Sequence, residues 1–264
     1  MNRAITLLTD FGNKDPFVSQ MKGVILGIND EVQIVDITHE ISRHHIREAA
    51  VTIGMSYEYF PPLTVHTCVV DPGVGSGRRP IIVAIDDHYF VGPDNGIFSY
   101  IFATHDIYQV IHVRADHYFV RKDSSTCHGR DIFSPVAAWL AKGVPLENFG
   151  DEIDDYINLN LPMPQRTSES NIEGEVIYID NFGNAITNIA LKDLGTISKH
   201  EILQRSKVLC KGSQIELKSY YSDVNDKALY ALFNSNDMLE LFVYRGSAVE
   251  ANGIKIGDAV GIVV

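Results

Sequence analysis

The strongest constraint on the fold is a change in hydrophobic periodicity part-way along the chain. Up to about residue 143, short β-branched runs alternate with segments that have the period of amphipathic helices. The strand-like runs are AITLLTDF, VQIVDIT, TVHTCVVD, PIIVAID and YQVIHV, and the helix-like segments are FVSQMKGVILGI, HIREAAVTIGMSYEYF with Ser42 as its N-cap, and RDIFSPVAAWLAKG ending at Gly143. This alternation predicts an α/β domain in three layers around a largely parallel sheet.

The second half of the chain has a different pattern. Residues 145–170 carry scattered acids and prolines without periodicity, which is typical of a linker. Beyond them come GEVIYID, AITNIAL, KVLCKG, QIELKSYY, ALYALFN, MLELFVY and AVGIVV. Short strands at regular spacing predict an all-β domain, either an antiparallel barrel or a sandwich. We therefore expect two domains, residues 1–165 and residues 166–264.

Composition excludes several classes of partner. The net charge is −12 and no stretch concentrates Lys and Arg, so neither a nucleic acid nor an anionic membrane surface is an expected partner. No apolar run approaches the roughly 20 residues that a membrane-spanning helix needs. The first residues run directly into a strand-like segment without a signal-peptide pattern, so we expect a cytoplasmic protein.

Cysteine and histidine spacing gives no sign of a metal centre. Cys68, Cys127 and Cys210 are far apart and form no CxxC pair, which indicates reduced, mostly buried thiols. His39, His44 and His45 cluster near Asp36, but their spacing matches no familiar zinc pattern. A nucleophilic serine elbow, GxSxG, is also absent from the sequence.

The loop VVDPGVGSGRRP, residues 69–80, looks at first like a phosphate cradle. Such a cradle works because its glycines lead into a helix whose first amides face the anion. Here a strand follows, and Pro80 has no amide hydrogen to donate. The loop is therefore a tight turn that brings Asp71 towards Arg78, either as a structural ion pair or as part of a polar site.

Two further polar stretches are candidate sites. In STCHGRDIFSP, His128 precedes a helix, where it is either a surface or capping residue or a titrating group, and Arg130 can pair with Asp131. In YIDNFGNAITNI, Asp180 and Asn184 flank an aromatic, which suits either an Asx turn or a pocket for a heterocyclic base.

Acidic residues also stand at the ends of strand-like runs. Asp10, Asp36 and Asp71 form a polar rim if the strands are parallel neighbours, or cap the turns that follow.

Six stretches in this order resemble one known family. They are LLTDFGNKDPFV, IVDITHEI, VVDPGVGSGRR, VGPDNGIFS, CHGRDIFSPVA and DNFGNAITNI. Together they are similar to the S-adenosyl-L-methionine (SAM) hydrolases, also called SAM hydroxide adenosyltransferases, whose relatives are the SAM-dependent fluorinases and chlorinases. The resemblance implies an α/β domain followed by an all-β domain, and a homotrimer that binds SAM where two subunits meet.

The resemblance also implies roles for individual residues. The catalytic trio falls on Asp71, Arg78 and His128, which would orient or deprotonate the water that attacks the ribose C5' carbon. SAM is then the substrate, and no cofactor is implied. The implied substrate-binding residues are Asp10 for the ribose, Asp15 and Asp180 for the methionine end, Phe182 and Asn184 for adenine, and Ser235 for the methionine carboxylate.

Two alternatives stand beside the hydrolase. In a halogenase, the positions of Asp71, Val74 and Gly129 would carry Tyr, Thr and Ser, and a loop would be inserted within residues 79–92, where this sequence has no room for one. A SAM- or adenosine-binding protein without turnover would lack the trio. Departures from the family are Cys127 in place of Phe, His44 near the position of an aromatic, and Asn236–Asp237 in place of a glycine.

Overall fold

A computed structural model describes residues 4–121, 123 and 125–264 of the chain. The chain divides into two compact units, Met1–Leu161 and Pro162–Val264. The division falls inside the stretch that the sequence marks as a linker, shortly before residue 165.

The first unit contains one seven-stranded sheet. Its strands are β1 Ala4–Thr9, β2 Gln33–Thr38, β3 Val65–Val69, β4 Pro80–Ile85, β5 His88–Pro93, β6 Gln109–Val113 and β7 Gly150–Glu152, in the order β2-β1-β3-β5-β4-β6-β7. The pairs β1–β2, β1–β3 and β3–β5 are parallel, whereas β4–β5, β4–β6 and β6–β7 are antiparallel. The sheet is therefore mixed, and the expectation of a largely parallel sheet is wrong for its β4–β7 side.

The hairpin of β4 and β5 is the reason for this difference. Only the residues Asp86 and Asp87 separate the two strands, and Asp86 has a φ of +32°. Connections this short join antiparallel strands, because a parallel crossover needs a dozen or more residues. Beyond β4, the pairs β4–β6 and β6–β7 are also antiparallel.

Four α-helices accompany this sheet. They are α1 Phe17–Ile28, α2 Ile46–Gly54, α3 Ser99–Thr104 and α4 Ser134–Ala141. The sequence predicted α1, α2 and α4 but not the short α3. The N-cap of α2 is His45 rather than Ser42, whose backbone amide instead donates to Glu48 Oε2 at 3.2 Å.

Two hydrophobic clusters pack against this sheet. One contains Ile5 and Leu7 of β1 with apolar residues of α1 and α4, and the other contains Leu8 of β1 with apolar residues of α2 and α3. Because neighbouring strand residues point to opposite faces, Leu7 and Leu8 supply separate cores. Both cores fix the strand ends at which the candidate site lies.

The second unit is a closed barrel. Its strands are β8 Gln165–Arg166, β9 Asn171–Ile179, β10 Ala185–Ala190, β11 Lys207–Cys210, β12 Ser213–Leu217, β13 Leu229–Phe233, β14 Met238–Val243 and β15 Ala259–Val263. Strands β9 to β15 follow one another in the order β10-β14-β13-β12-β11-β15-β9, and the pairing of β9 with β10 closes the ring. Of the two predicted forms, the barrel is the observed one. Strands β12 and β13 pair in parallel, and the other pairs described in this unit are antiparallel.

Two short helices interrupt the barrel and were not predicted. They are α5 Lys199–Arg205 and α6 Ala248–Asn252, whose N-caps are Ser198 and Ser247. Each serine side chain accepts a hydrogen bond from the amide three residues on. Both helices are too short for the sequence periodicity to reveal them.

No helix within residues 4–121, 123 and 125–264 is long and apolar enough to cross a membrane.

Candidate active site

The site begins at the carboxyl ends of two parallel strands. Thr9 of β1 pairs with Val69 of β3, so the chain leaves the sheet at Asp10 and at Asp71 along the same edge. Both acidic side chains are nearly buried, with 8% of Asp10 and 4% of Asp71 exposed. Because β1 and β3 are parallel neighbouring strands, these two carboxylates lie at the same edge of the sheet, as a polar rim requires.

Asp36 does not belong to this rim. It lies inside β2 and is half-exposed, where Lys22 Nζ donates to it at 2.6 Å and His39 Nε2 lies 3.1 Å away. Partial burial alone would raise the pKa of Asp36, but the hydrogen bonds from Lys22 and His39 outweigh it and lower the pKa. The prediction that Asp36 shares the rim is wrong because the strand continues past it.

Asp71, Arg78 and His128 are in direct contact. Arg78 Nε donates to both carboxylate oxygens of Asp71 at 3.0 Å, and Arg78 Nη2 also donates to Asp71 Oδ2. The same Nη2 lies 2.5 Å from His128 Nδ1. The Arg78 side chain is only 8% exposed, and its guanidinium lies 5.0 Å from the centre of the Phe133 ring. The Asp71–Arg78 pair therefore closes its loop and also contacts the imidazole of His128, which lies fifty residues after Arg78.

The contact with Arg78 fixes the tautomer of His128. A guanidinium carries only donors, so His128 Nδ1 has to accept the hydrogen bond. In the neutral ring, the remaining hydrogen then lies on Nε2.

One nitrogen of Arg78 is left for a ligand. Arg78 Nη1 is buried and has no acceptor among the residues that the structure describes. Buried guanidinium hydrogens are nearly always paired, because leaving one without an acceptor carries a desolvation penalty. An oxygen of water, hydroxide or another anion would satisfy this donor.

A π-helical turn places His128. The turn spans Gly129–Phe133 and leads into α4, and π-helical turns are frequent at functional sites. Arg130 Nε and Nη2 donate to the two carboxylate oxygens of Asp131 at 2.7 and 2.8 Å, which confirms the predicted local pair. A Cβ added at Gly129 would lie 3.2 Å from both Met21 Sδ and Phe11 Cε2. The turn is thus packed closely against residues before and within α1.

Asp10 already holds part of the loop before α2. Its Oδ2 accepts the backbone amide of His44 at 2.8 Å, and His44 has a φ of +65°. The His44 side chain is 72% exposed, so the backbone rather than the ring is held. Asp15 is exposed in the segment between β1 and α1.

The predicted residues of the second unit lie at two of its turns. Asp180 Oδ1 accepts the amides of Phe182 and Asn184 at 2.9 and 2.8 Å, and its Oδ2 accepts Asn184 Nδ2 at 2.9 Å. The Asx turn, one of the two alternatives for this stretch of the sequence, is therefore present. The ring of Phe182 at its tip is 75% exposed, although it is a large apolar group.

Ser235 lies in the turn between β13 and β14 and is exposed. Asn234 shapes this turn, since its Oδ1 accepts the amides of Asn236 and Met238 at 2.9 and 3.1 Å. Asp237 has a φ of +54°, a conformation that the glycine of relatives would adopt more easily.

A buried carboxylate beneath this turn was not predicted. Glu240 of β14 is 2% exposed, and it accepts hydrogen bonds from Tyr221 Oη at 2.6 Å and from Asn234 Nδ2 at 3.1 Å. Burial raises the pKa of Glu240, against the effect of these two donors. The sequence signal was a single acid in the apolar run MLELFV, which by itself does not separate an outward side chain from a buried one.

The cysteines of the described residues are free thiols. Cys68 and Cys210 are buried free thiols and Cys127 is partly buried and free. Within the described part of the chain, no group of three or more His, Cys, Asp or Glu side chains is placed to hold a metal ion.

Comparisons with known proteins find one family in both units. Residues 5–150 match the model of the SAM hydroxide adenosyltransferase N-terminal domain, and residues 174–261 match that of the C-terminal domain. Two curated relatives, from Methanocaldococcus jannaschii and Thermus thermophilus, are named (R)-S-adenosyl-L-methionine hydrolase. The first is 34% identical over 98% of this chain and 95% of its own, and the second is 32% identical over 97% of both chains.

A more distant relative and a solved structure also match most of the chain. A fluorinase from Actinoplanes is 26% identical over 73% of this chain and 74% of its own. The crystal structure of a conserved protein from Thermotoga maritima superimposes with a TM-score of 0.89 at 34% identity, and covers 98% of this chain and 100% of that one.

Proposed function

The chain belongs to the SAM hydroxide adenosyltransferase family, and we propose that it hydrolyses S-adenosyl-L-methionine to adenosine and L-methionine. Family membership confirms the resemblance that the six sequence motifs carry. The observation that supports the reaction in this chain is the contact of Arg78 with both Asp71 and His128, beside a buried donor that has no acceptor among the described residues. Because the relatives' names specify the (R) sulfonium, we extend that preference to this chain.

The reaction is a displacement at carbon. The oxygen of water forms a bond to the ribose C5' carbon while the C5'–S bond breaks, and the electron pair of that bond returns to sulfur to give the neutral thioether of methionine. The water releases one proton to solvent. A sulfonium leaves without being protonated, so the site does not have to supply an acid. It has to orient the attacking oxygen and to stabilise negative charge on it. This chemistry needs no cofactor.

We assign the stabilisation of that oxygen to Arg78 and its orientation to His128. Arg78 Nη1 is the buried donor that an attacking hydroxide would satisfy, and the imidazole of His128 lies against the same guanidinium through its Nδ1. Asp71 holds the guanidinium through Nε and Nη2, which leaves Nη1 for the nucleophile. In this assignment His128 orients the nucleophile and does not take its proton.

The substrate-binding assignments rest on the family match of single residues. Asp10 would hold the ribose hydroxyls, Asp15 and Asp180 the methionine ammonium, and Ser235 the methionine carboxylate. Asn184 would read the adenine edge and Phe182 would stack on its face. The exposure of the Phe182 ring supports this last role, since an apolar ring of that size is favourably covered by a base.

We further propose a cytoplasmic homotrimer with its active site at the subunit interface. Candidate residues in both units of the chain support this arrangement, because a site shared by two subunits draws on both. We also infer that the first unit has three layers, since the cores on Leu7 and Leu8 of β1 involve different helices.

A halogenase is the nearest alternative reaction. It needs a pocket that accepts a halide, and the buried Asp71 carboxylate would repel that anion. Val74 and Gly129 also lack the hydroxyl groups that would donate to a halide. The third possibility, binding of SAM without turnover, gives no reason for Asp71, Arg78 and His128 to be assembled.

One incubation distinguishes the three functions. Purified protein is supplied with the (R) and the (S) diastereomer of SAM separately, with and without chloride, and the products are resolved by chromatography. We expect adenosine and methionine in equal amounts, faster from the (R) form and independent of chloride. 5'-Chloro-5'-deoxyadenosine would indicate a halogenase, and adenosine no faster than in protein-free controls would refute the hydrolase.

A further inference from the structure

The turn formed by residues 93–96 contacts the entrance of the loop that carries Asp71 and Arg78. Asn95 Nδ2 donates to the carbonyl oxygen of Val70 at 2.8 Å. Val70 is completely buried and directly precedes Asp71 in the chain. The position of Asn95 therefore fixes the backbone one residue from the carboxylate.

The same turn also contacts the exit of that loop. Asp94 Oδ2 accepts from Arg79 Nε at 2.9 Å and from Arg79 Nη2 at 2.6 Å, and the Asp94 amide donates to the Arg79 carbonyl at 2.8 Å. Arg79 directly follows Arg78, and Asp94 is 3% exposed. A charge-assisted pair at a buried site and a backbone bond thus fix the chain one residue from the guanidinium.

The turn is itself held in place. Asn95 Oδ1 accepts the amide of Ile97 at 3.2 Å, and Asp94 Oδ1 accepts the amide of Ile157 at 2.7 Å. Pro93 also ends β5 in register with Pro80, the first residue of β4. Sheet pairing and hydrogen bonds from both sides make the turn a fixed support for the two loop ends.

The loop between these supports needs them. Gly73, Gly75 and Gly77 lie between Asp71 and Arg78, and glycine allows the backbone far more conformations than other residues do. Turn hydrogen bonds within the loop join Val74 to Asp71 at 3.2 Å and Ser76 to Gly73 at 3.0 Å, but they do not fix where the two ends of the loop stand relative to the sheet. The hydrogen bonds from Asp94 and Asn95 supply that placement at both ends.

We propose that Asp94 and Asn95 are positioning residues for hydrolysis, which set the distance between the two ends of the catalytic loop and so the geometry of Asp71 and Arg78. This inference rests on the proposed function. Asp94 and Asn95 are the Asp-Asn pair of the VGPDNGIFS motif, and Arg79 is the second arginine of the loop. The proposal gives these residues a role in hydrolysis without direct contact with the trio. The competing view is that the Asp71–Arg78 pair holds the loop unaided.

The test is Asn95→Ala, with kcat and KM obtained from adenosine release. If Asn95 positions the loop, kcat falls by about 10- to 100-fold, since an error of about 1 Å in a reacting group has that effect. KM changes little, because the residues assigned to bind SAM are untouched. Where Asn95→Ala does not fold, Asn95→Asp replaces it, as it keeps the acceptor for Ile97 and removes the donor to Val70.

A matched control exists in the other unit. Asn188 Oδ1 accepts the amide of Glu175 at 2.8 Å and its Nδ2 donates to the carbonyl of Pro162 at 2.8 Å, the same bonding pattern as that of Asn95. Asn188→Ala should lower the thermal midpoint with kcat unchanged. If Asn95→Ala lowers the midpoint like Asn188→Ala and keeps the wild-type kcat, or raises KM alone, the positioning role is wrong. Absence of adenosine from the unaltered protein would instead refute the proposed function itself.

Discussion

Arg78 links the acid and the imidazole of the candidate site through one guanidinium. The planar fork lets Nε and Nη2 bind Asp71 while Nη2 reaches His128, and it leaves Nη1 buried without an acceptor among the described residues. A lysine would supply one point charge and no such division of donors. The arrangement therefore depends on the residue type and not only on the positive charge.

His128→Ala tests the role of the imidazole. The substitution removes the acceptor for Arg78 Nη2 and the imidazole assigned to orient the nucleophile, so turnover should fall by about 100-fold or more, as it does when a positioned catalytic group is removed. Binding of SAM, measured by calorimetry, should persist. His117→Ala, at an exposed histidine of the same unit, is the control and should keep full turnover. Unchanged turnover in His128→Ala would remove His128 from the mechanism.

His66 predicts how stability depends on pH. It is fully buried on β3, where its Nδ1 lies 2.8 Å from Thr6 Oγ1 and its Nε2 lies 3.2 Å from His88 Nδ1. Burial, and to a smaller degree His88, lowers the pKa of His66 from 6.5 to about 3. Between these values the unfolded chain binds a proton that the folded chain does not. The free energy of unfolding therefore falls as the pH drops below about 6.5, by up to about 1.4 kcal/mol per pH unit.

Denaturant unfolding at about pH 7 and about pH 5 measures this effect. The unaltered protein should lose more stability over that interval than His66→Gln, in which the buried titrating group is gone. Some loss should remain in the variant, since burial also lowers the pKa of His88. An equal loss in both proteins would contradict the assignment to His66.

At the residue scale, the local sequence predicted that Asp71 lies near Arg78, whereas His128 was joined to them only through the family resemblance. A tight turn between Asp71 and Arg78 follows from local glycines and from Pro80. The contact with His128 depends on how the π-helical turn packs against Phe11 and Met21, and only the family resemblance pointed to it. Glu240 was not predicted, because the periodicity of an apolar strand does not show whether a single acidic side chain in it is buried or exposed.

At the element scale, strands and long helices followed from hydrophobic periodicity, whereas their pairing did not. The β4–β5 hairpin has the signal of a two-residue connection at Asp86–Asp87, yet β5 inserts between β3 and β4 in the sheet. The position of β5 between β3 and β4 depends on contacts between residues far apart in the sequence, which the periodicity of a single strand does not show. It makes the sheet mixed and brings the turn at residues 93–96 next to both ends of the catalytic loop.

Gly96 tests how tightly this turn meets the chain that follows β7. It has a φ of +93°, and an added Cβ would lie 2.3 Å from Leu159 Cγ. Gly96→Ala should therefore suffer both backbone strain and overpacking. Gly143 has a similar φ of +99°, and an added Cβ there meets no atom of the described residues within 4 Å. Gly143→Ala is thus the control for backbone strain alone.

Denaturant unfolding of the two variants separates these contributions. Gly143→Ala should be destabilised by about 1–3 kcal/mol from backbone strain. Gly96→Ala should lose at least about 1 kcal/mol more, from overpacking against Leu159. Equal losses would show that Leu159 yields without resistance and that the turn is not closely packed.

At the scale of the whole molecule, the change of periodicity in the sequence corresponds to two units of different architecture. The barrel closes because β9, the longest strand of the second unit, pairs with both β15 and β10. Closure of this kind is not encoded in any one strand, so the sequence left barrel and sandwich equally open.

The most direct test of water attack at C5' is hydrolysis of (R)-SAM in water enriched in ¹⁸O, followed by mass spectrometry of both products. We predict one ¹⁸O atom in the 5'-hydroxyl of adenosine and none in the methionine beyond that of a control incubated without SAM turnover. Label in the amino-acid product, or adenosine that carries only ¹⁶O, would contradict attack of water at C5' in the site formed by Asp71, Arg78 and His128.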